Sequence, residues 1–510
     1  MGFSQRNSLH NSPLSYPFST LPSTTVHATI PAHMPTGHGL SKNFALQAAG
    51  KAVSVVLGLV MIGILTRALG PEGYGAFTTA STYLQFFGVI VDFGLTLTLL
   101  VMISESGADE AKVAGNVLGL RLFSAAILFA LAPLIALPIP WDATVKAAIA
   151  VGALAYFFMA GSTMLVGVYQ KHSVIWRASI AEVASRVVLV ALTALLAWLG
   201  AGLTAMFAAL VIANVLWLAL SIGLARPFVR LRPLMDLAVW KSTLARSWPI
   251  ALSILFNLVY LKGDVLILSL IRSQEEVGFY GVAYRFLDVF TAVPTMFMGL
   301  LLPSLVTDWT AGRREEFGRH VNRTFDLFAL AIAPMAAGGI AIAPSLIALV
   351  AGSGFDAAAP ALAVLMLATP GIFLGALYGH AVVGIGKQRA MVWGYAATAA
   401  LTTIAYLYLI PRWGILGAAW ATVVSETFML ALTFWMVMRT SGARPRLVVA
   451  TKAVAASMAM YALLKWLPPM GALPSIAVGA ASYAVLALAL RAVTLADLRA
   501  LIPHRSPDLR

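Results

Sequence analysis

The sequence predicts an all-α membrane protein that crosses the bilayer many times. Hydrophobic residues make up 60% of the 510 residues and charged residues only 11%, whereas a soluble domain carries about 25% charged residues. Apolar runs of the ~20 residues that cross a ~30 Å hydrocarbon core follow one another from residue 44 onward. Because these runs are continuously apolar and do not alternate, they favour helices over a β-barrel. This composition disfavours a cytosolic enzyme, a nucleic-acid binder and a secreted disulfide scaffold.

The apolar runs divide the chain into about 14 transmembrane helices. The predicted spans cover residues 44–66, 75–102, 114–137, 144–169, 176–199, 202–224, 248–271, 279–306, 325–349, 357–383, 390–410, 415–438, 447–467 and 472–491. Residues 1–43 are rich in Ser, Thr, Pro and His, which predicts a disordered cytoplasmic tail. Residues 492–510 form a second predicted cytoplasmic tail.

The basic residues predict the orientation of the chain. With the amino terminus inside, cytoplasmic segments and the span ends beside them hold 24 of the 34 Lys and Arg residues. The external loops hold five, one to a loop: Arg67, Lys146, Arg272, Arg412 and Lys465. Such an excess on one side is the positive-inside pattern of a multi-pass membrane protein, here with both termini in the cytoplasm.

An internal similarity indicates two lobes of six helices. The break after the first span, residues 67–75, and the break after the seventh, residues 272–281, both begin with Arg and end with an aromatic-Gly pair. We therefore expect an N-lobe (residues 44–225), a basic cytoplasmic linker (226–247), a C-lobe (248–438) and two additional helices (439–491). Parallel lobes around a shared site at the membrane midplane are a transporter architecture. Chance similarity between glycine-rich breaks is the alternative explanation.

Apart from the charges toward the span ends, ten charged residues and one histidine fall inside the predicted spans. The basic ones are Lys51, Arg121, Arg186, Lys262 and Arg285; the acids are Asp92, Glu182, Asp264, Asp288 and Glu426, and the histidine is His380. Each charge at mid-helix costs ~2.5–3.5 kcal/mol on insertion scales. These side chains must therefore face one another or a cavity.

Helical spacing predicts some of the partners. Glu182 and Arg186 are four residues apart and Arg285 and Asp288 are three apart, so both pairs suit ion pairs within one helix. Lys51 and Arg121 have no acid at helical spacing and need either an acid on another helix or an anionic ligand. Lys262 and Asp264 point to nearly opposite sides of one helix, because they are two residues apart.

Several short motifs resemble those of polysaccharide biosynthesis membrane proteins. The sequence LTRALGPEGYG at residues 65–75 is similar to the first inter-helix signature of that family, and VDFGL at 91–95 is similar to the element on its second helix. Residues 263–264 with 276–280 resemble the Asp on its seventh helix and the loop that follows. Residues 411–422 resemble the turn before its twelfth helix. The family comprises the Wzx-type lipid-linked oligosaccharide flippases of the multidrug/oligosaccharidyl-lipid/polysaccharide (MOP) superfamily.

The resemblance implies a fold and a function. The fold would be two six-helix bundles arranged in a V around a central cavity, with two C-terminal helices added. The function would be movement of an undecaprenyl-pyrophosphate-linked oligosaccharide repeat unit across the bacterial inner membrane by alternating access, for exopolysaccharide or O-antigen synthesis. Polysaccharide polymerase and export proteins would be partners; no cofactor, metal, nucleic acid or enzymatic activity is expected.

The intramembrane charges then become candidates for two roles. A pyrophosphate at low dielectric needs cations, so the candidates for its site are the five intramembrane basic residues: Lys51, Arg121, Arg186, Lys262 and Arg285. A proton or sodium gradient could act through the titratable groups Asp92, Asp264, Asp288, Glu426 and His380, or the membrane potential could act on the charged headgroup at ~2.3 kcal/mol per charge per 100 mV.

Two other functions remain open at the level of the sequence. A drug/cation antiporter of the same superfamily would favour an acid on the first span, which instead has Lys51. A membrane glycosyltransferase or polysaccharide ligase would need a sizeable external loop with catalytic residues, and the predicted external loops are about ten residues or shorter. The chain has no cysteine, which excludes disulfides and thiol catalysis.

Overall fold

The structure is a computed structural model that describes residues 37–229 and 232–493, with side chains described from residue 49 onward. These residues form fourteen helices. They are α1 Gly37–Asp92, α2 Leu95–Ser104, α3 Glu110–Ala136, α4 Ala143–Lys171, α5 Ile175–Trp198, α6 Leu203–Ala225, α7 Leu237–Ile271, α8 Gln274–Thr310, α9 Arg314–Ala351, α10 Ala358–Met366, α11 Thr369–Gly384, α12 Gln388–Ser441, α13 Leu447–Trp466 and α14 Ala472–Ala489.

Two of these helices are each long enough for two membrane crossings. Among the described residues, twelve helical stretches are long and apolar enough to cross a membrane, and two of them have 56 and 54 residues. A straight 54-residue helix would be about 80 Å long, more than twice the bilayer core. Instead α1 breaks at Gly70 (φ 67°) and α12 at Gly414 (φ 54°), in the left-handed region that glycine adopts without steric cost.

Contacts inside α12 confirm that its two halves fold back on each other. Thr398 Oγ1 lies 3.6 Å from Met429 Sδ, although 31 residues separate them along the chain. With residues 49–104 and 388–441 counted as two crossings each, the twelve helical stretches give the fourteen crossings that the apolar runs predict. The prediction of an all-α polytopic membrane protein is thereby confirmed.

The structure corrects three predicted boundaries. Helix α1 begins at Gly37, so the last part of the predicted tail is helical; residues 1–36 lie outside the described part of the chain. Helix α7 begins at Leu237, so the second half of the predicted linker is helical. The Asp236 side chain caps this helix, because its carboxylate accepts hydrogen bonds from the backbone N–H groups of Ala238 and Val239. Two predicted spans are also interrupted, between α1 and α2 and between α10 and α11.

Most helix packing stays within one half of the chain, and we call α1–α6 the N-lobe and α7–α12 the C-lobe. In the N-lobe, α4 packs against α3 and α6, and α1 packs against α4 and α5; in the C-lobe, α7 packs against α12 and α11 against α8, α9 and α12. Helices α13 and α14 pack on α9, where Tyr483 Oη donates a hydrogen bond to the carbonyl oxygen of Leu330 at 2.8 Å. Since lipid provides no hydrophobic drive for helix association, such contacts rest on close packing and interhelical hydrogen bonds.

The two lobes meet through reciprocal glycine contacts at one end of the bundle. A methyl group at Gly75 would lie 1.6 Å from the carbonyl oxygen of Gln274, and one at Gly278 would lie 2.1 Å from that of Pro71. Each glycine thus lies against the backbone of the other lobe. The contact is made four residues before the opposite glycine in both cases. This end of the bundle contains Gly70, Gly414 and the turn between α7 and α8. We call it the outer end.

Charged side chains reinforce the outer end. Arg67 donates hydrogen bonds to the carbonyl oxygens of Val350 (2.8 Å) and Leu349 (3.3 Å) at the end of α9. In the C-lobe, Arg272 donates to the carbonyl oxygen of Pro411 at 2.8 Å. Because α9 and α1 belong to different lobes, Arg67 ties them together where the chain leaves the apolar core.

Gly278→Ala should destabilise the protein, since the added methyl group must displace the backbone at Pro71. Overpacking of this kind costs about 1–3 kcal/mol, which a thermal unfolding scan of the detergent-solubilised protein would detect. Gly299→Ala is the matched control on the same helix, because nothing lies within 4 Å of the added methyl group there. Equal melting temperatures for the two variants would contradict the glycine contact.

A candidate anion-binding site between the lobes

A polar cavity of about 270 Å³ lies between the N-lobe and the C-lobe. Two N-lobe helices and two C-lobe helices line it. The lining residues are Thr78, Ser81, Thr82 and Gln85 on α1, Tyr156 on α4, Lys262 and Val265 on α7, and Gly281, Tyr284, Arg285 and Asp288 on α8. Lys262 stands nine residues before the end of α7, which is about 14 Å at 1.5 Å per residue. The cavity therefore lies near the middle of a ~30 Å hydrocarbon core.

Two cations in this cavity share one carboxylate. Lys262 Nζ lies 2.8 Å from one oxygen of Asp288, and Arg285 lies 3.4 Å from the other. Lys262 Nζ also lies 3.9 Å from the centre of the Tyr284 ring, a cation–π contact. The group as a whole keeps one net positive charge. Arg285 and Asp288 remain 39% and 36% exposed, so the charges face open space.

The sequence predicted part of this cluster. The intrahelical pair of Arg285 with Asp288 is confirmed, but the sequence assigned Lys262 no partner. Asp288 is on α8, 26 residues after Lys262, and only the packing of α7 beside α8 brings them together.

Sequence reasoning missed the neutral polar residues of the cavity. Thr78, Ser81, Thr82 and Gln85 follow the i, i+3, i+4, i+7 spacing of one helical face. This polar stripe on a largely apolar span could have indicated a polar cavity. The prediction from the sequence rested on the charged residues alone and so did not use it. Ser81 Oγ is buried with no hydrogen-bond partner among the described residues. Its hydroxyl group suits a hydrogen bond to a ligand oxygen.

Arg121 lies outside the cavity, in a network within the N-lobe. Its guanidinium contacts Asp92 at 2.6 Å and donates to the hydroxyl groups of Thr96 and Thr163, each at 2.8 Å. Only 3% of its surface is exposed. Of the two possibilities that the sequence left open, an acid on another helix is the one observed. Arg121 therefore joins its own helix α3 to α1, α2 and α4, and it does not line the cavity.

The other two candidate cations are also separate from the cavity. Arg186 pairs with Glu182 at 2.9 Å, as the helical spacing predicts. Lys51 is exposed and has no ion-pair partner within the described part of the chain. It shares a helical face with the buried residues Ile62 and Leu65. This places Lys51 on the protein-facing side of α1, several turns from the outer end.

Asp264 does not line the cavity, because it lies on a different side of α7 from Lys262. Asp264 is fully buried and accepts hydrogen bonds from Tyr280 Oη (2.5 Å) and the backbone N–H of Val265 (2.7 Å), with the Thr422 hydroxyl at 3.4 Å. The expectation that Lys262 and Asp264 point in different directions is confirmed. Tyr280 and Thr422 were not predicted from the sequence, because neutral side chains carry no signal of membrane cost.

The remaining two titratable candidates are also in the C-lobe. Glu426 is 6% exposed and stands one helical turn after Thr422 on α12. Its carboxylate has no hydrogen-bond or ion-pair partner among the described side chains. His380 Nδ1 lies 2.8 Å from the carbonyl oxygen of Ala376, within its own helix α11.

The fold is that of solved membrane transporters. The lipid II flippase MurJ in an inward closed conformation matches with a TM-score of 0.73 at 13% identity, covering 88% of this chain and 99% of that one. An inward-facing multidrug resistance MATE family transporter of the MOP superfamily matches with a TM-score of 0.61 at 16% identity, over 78% and 98% of the two chains. A MOP superfamily transporter from Pyrococcus furiosus matches with a TM-score of 0.56 at 15% identity, over 79% and 96%.

Sequence similarity defines the family more narrowly than the fold does. The family model described as "Polysaccharide biosynthesis protein" matches residues 40–307, more than half of the chain. The chain therefore belongs to the polysaccharide biosynthesis protein family, as its motifs predicted. A comparison with curated proteins found no match.

A double-mutant cycle would test the structural role of Arg121. Arg121→Met should destabilise the protein by about 1–3 kcal/mol, because it leaves Asp92 without its charged partner. Adding Asp92→Asn should recover part of that loss, as measured by thermal unfolding. If the two single variants lose stability additively in the double variant, the side chains do not interact.

Proposed function

We propose that this protein is a flippase that moves a polyprenyl-pyrophosphate-linked oligosaccharide across the membrane. The observation that carries the proposal is the shared carboxylate of Lys262 and Arg285 in a cavity between the lobes. Membership of the polysaccharide biosynthesis protein family and the fold shared with a lipid II flippase support it.

The cavity suits a pyrophosphate in both charge and donor groups. Arg285 supplies a planar set of donors and Lys262 a compact charge, the two kinds of group that bind phosphate oxygens. Asp288 reduces the cost of holding these cations at membrane depth when no substrate is bound. A pyrophosphate then takes the place of the carboxylate as their partner, with Ser81 and Gln85 as further donors.

Transport would proceed by alternating access between the lobes. The reciprocal contacts of Gly75 and Gly278 close the outer end, so the proposed cycle must separate these backbones to release the headgroup outward. The lobes touch there through glycines and main-chain carbonyl groups. Separation also has to break the contact between the buried rings of Tyr74 and Phe355, whose centres lie 6.1 Å apart on the two sides of this closure.

For ion coupling, we assign Asp264 and Glu426 the leading role. Asp92 and Asp288 are engaged in ion pairs with Arg121 and with the cavity cations. Asp264 is held by neutral donors, and Glu426 is buried nearby on α12. A proton or sodium ion bound to Asp264 or Glu426 would change the charge inside the C-lobe without competing with an anion in the cavity. His380 and the membrane potential are the further candidates.

The proposal also sets a cellular context. A Wzx-type flippase would lie in the bacterial inner membrane with both termini in the cytoplasm, and would supply repeat units for exopolysaccharide or O-antigen synthesis. Polysaccharide polymerase and export proteins would act on the delivered units. The protein itself would bind and release its substrate without catalysing a reaction or using a cofactor.

Lys262→Ala and Arg285→Ala should each reduce leaflet translocation at least tenfold, because either change removes a phosphate ligand. The measurement is translocation of an undecaprenyl-pyrophosphate oligosaccharide in proteoliposomes. Arg186→Ala is the matched control, since that arginine pairs with Glu182 outside the cavity. Normal transport by both cavity variants would contradict the anion site, and efflux of organic cations without lipid transport would favour the antiporter.

A disulfide between the lobes, at cavity residues three positions inward from Gly75 and Gly278, should stop transport reversibly. The Cβ of a residue placed at Gly281 would lie 3.3 Å from the Cβ of Thr78, close to the 3.5–4.5 Å of a disulfide. Because the chain has no native cysteine, the double variant Thr78→Cys, Gly281→Cys forms only this bond. Oxidation should abolish translocation and a reductant should restore it, whereas each single variant should be insensitive to oxidant. Transport by the oxidised double variant would mean that the outer end does not open.

A further inference from the structure

A second cavity, of about 210 Å³, lies beside α1 and α7 toward the inner end. Seven apolar residues line it: Val89, Ile90, Phe93, Trp248, Ala251, Leu252 and Leu255. Its mouth is open, because Ile90 and Trp248 are 43% and 54% exposed. We call this cavity the α1–α7 groove.

The groove continues the cationic cavity along the same faces of the same two helices. On α7, Leu255 and Lys262 are seven residues apart and so lie on one face, about 10 Å apart along the axis. On α1, Val89 follows Gln85 by one turn. The facing surfaces of α1 and α7, which we call the seam, therefore change from polar to apolar along their length. The charges lie at the midplane and the groove lies below them.

Other contacts fix the depth and the lower limit of the groove. The exposed ion pair of Arg246 with Glu105 lies just beyond Trp248 and marks the water boundary. Gly94 packs against Ile250 so closely that a methyl group there would lie 2.9 Å from the isoleucine side chain. The groove thus lies between the inner membrane surface and the midplane, at the depth of the inner-leaflet acyl chains.

We propose that the α1–α7 groove holds the first isoprenyl units of the substrate's lipid chain. This inference rests on the proposed function, since it takes the pyrophosphate to be bound at Lys262 and Arg285. A polyprenyl pyrophosphate is anionic at one end and wholly apolar beyond it. The seam changes in the same order, from the cationic cavity to the apolar groove. The chain would leave the cavity through the groove and enter the bilayer at the level of the inner leaflet.

The inference predicts that the affinity for prenyl pyrophosphates rises with the length of the prenyl chain, and that this rise depends on the groove alone. The ligands are inorganic pyrophosphate, geranyl pyrophosphate and geranylgeranyl pyrophosphate, measured by calorimetry on the full chain in detergent. The unmodified protein should bind the prenylated ligands more tightly than pyrophosphate. Ile90→Asn and Leu252→Trp should weaken geranylgeranyl pyrophosphate about tenfold, or about 1.4 kcal/mol, and leave inorganic pyrophosphate unchanged.

Two control variants separate the groove from the anion site. Ile212→Asn makes the same change at an isoleucine of α6 that is 54% exposed, and should bind all three ligands normally. Arg285→Gln should weaken all three ligands together, because each contains the pyrophosphate.

The outcomes distinguish the inference from the function beneath it. If the prenylated ligands bind no more tightly than inorganic pyrophosphate, or if both groove variants keep the tighter binding, the groove does not hold the prenyl chain. The proposed flippase function would be unaffected by either result. Competition by excess phosphatidylglycerol that removes the gain would assign the groove to bilayer acyl chains, and would also overturn the inference. No binding of any pyrophosphate by the unmodified protein would remove the anion site, and the groove assignment with it.

Discussion

The cost of placing charge in hydrocarbon is the constraint on which this structure depends. Each intramembrane charge needs a partner or a polar space, at ~2.5–3.5 kcal/mol when it has neither. Asp288 meets that need for both Lys262 and Arg285, and it can do so only because α7 packs beside α8. One carboxylate for two cations leaves a positive charge at the midplane. That residual charge, enclosed between two lobes, is the physical basis for the proposed anionic substrate.

The same constraint separates structural charges from site charges. Arg121 is almost fully buried, and both of its terminal nitrogens are occupied by Asp92, Thr96 and Thr163. It has the environment of a residue that joins helices. Arg285 also falls inside a predicted span but is 39% exposed, and its ion pair with Asp288 is longer, at 3.4 Å. Exposure to a cavity, and not charge or depth, makes Arg285 the candidate for ligand binding and Arg121 a structural residue.

Glycine contacts hold the two lobes closed at the outer end, and in the proposed transport cycle these contacts must part. Gly75 and Gly278 bring two backbones together with no side chain between them, and Arg67 adds hydrogen bonds from its guanidinium to main-chain carbonyl oxygens of the other lobe. Polar contacts of this kind can be exchanged for water when they part. The apolar groove and the cationic cavity lie along one seam below this closure, so a single movement of the lobes would alter both.

The sequence alone predicts the class of fold, the number of crossings and the family, because apolar run length, the basic-residue bias and short ordered motifs are local properties. It also identified the charges that matter and the pairs within one helix, Glu182 with Arg186 and Arg285 with Asp288. It could not pair Lys262 with Asp288 or Arg121 with Asp92, nor collect Ser81, Gln85 and Tyr156 into a cavity. Those contacts join different helices, and only tertiary packing decides which helical faces meet. Arg121, for which the sequence offers no acid at helical spacing, joins helices, whereas Arg285, paired with Asp288 within its own helix, faces the cavity; no local pattern contains the reason.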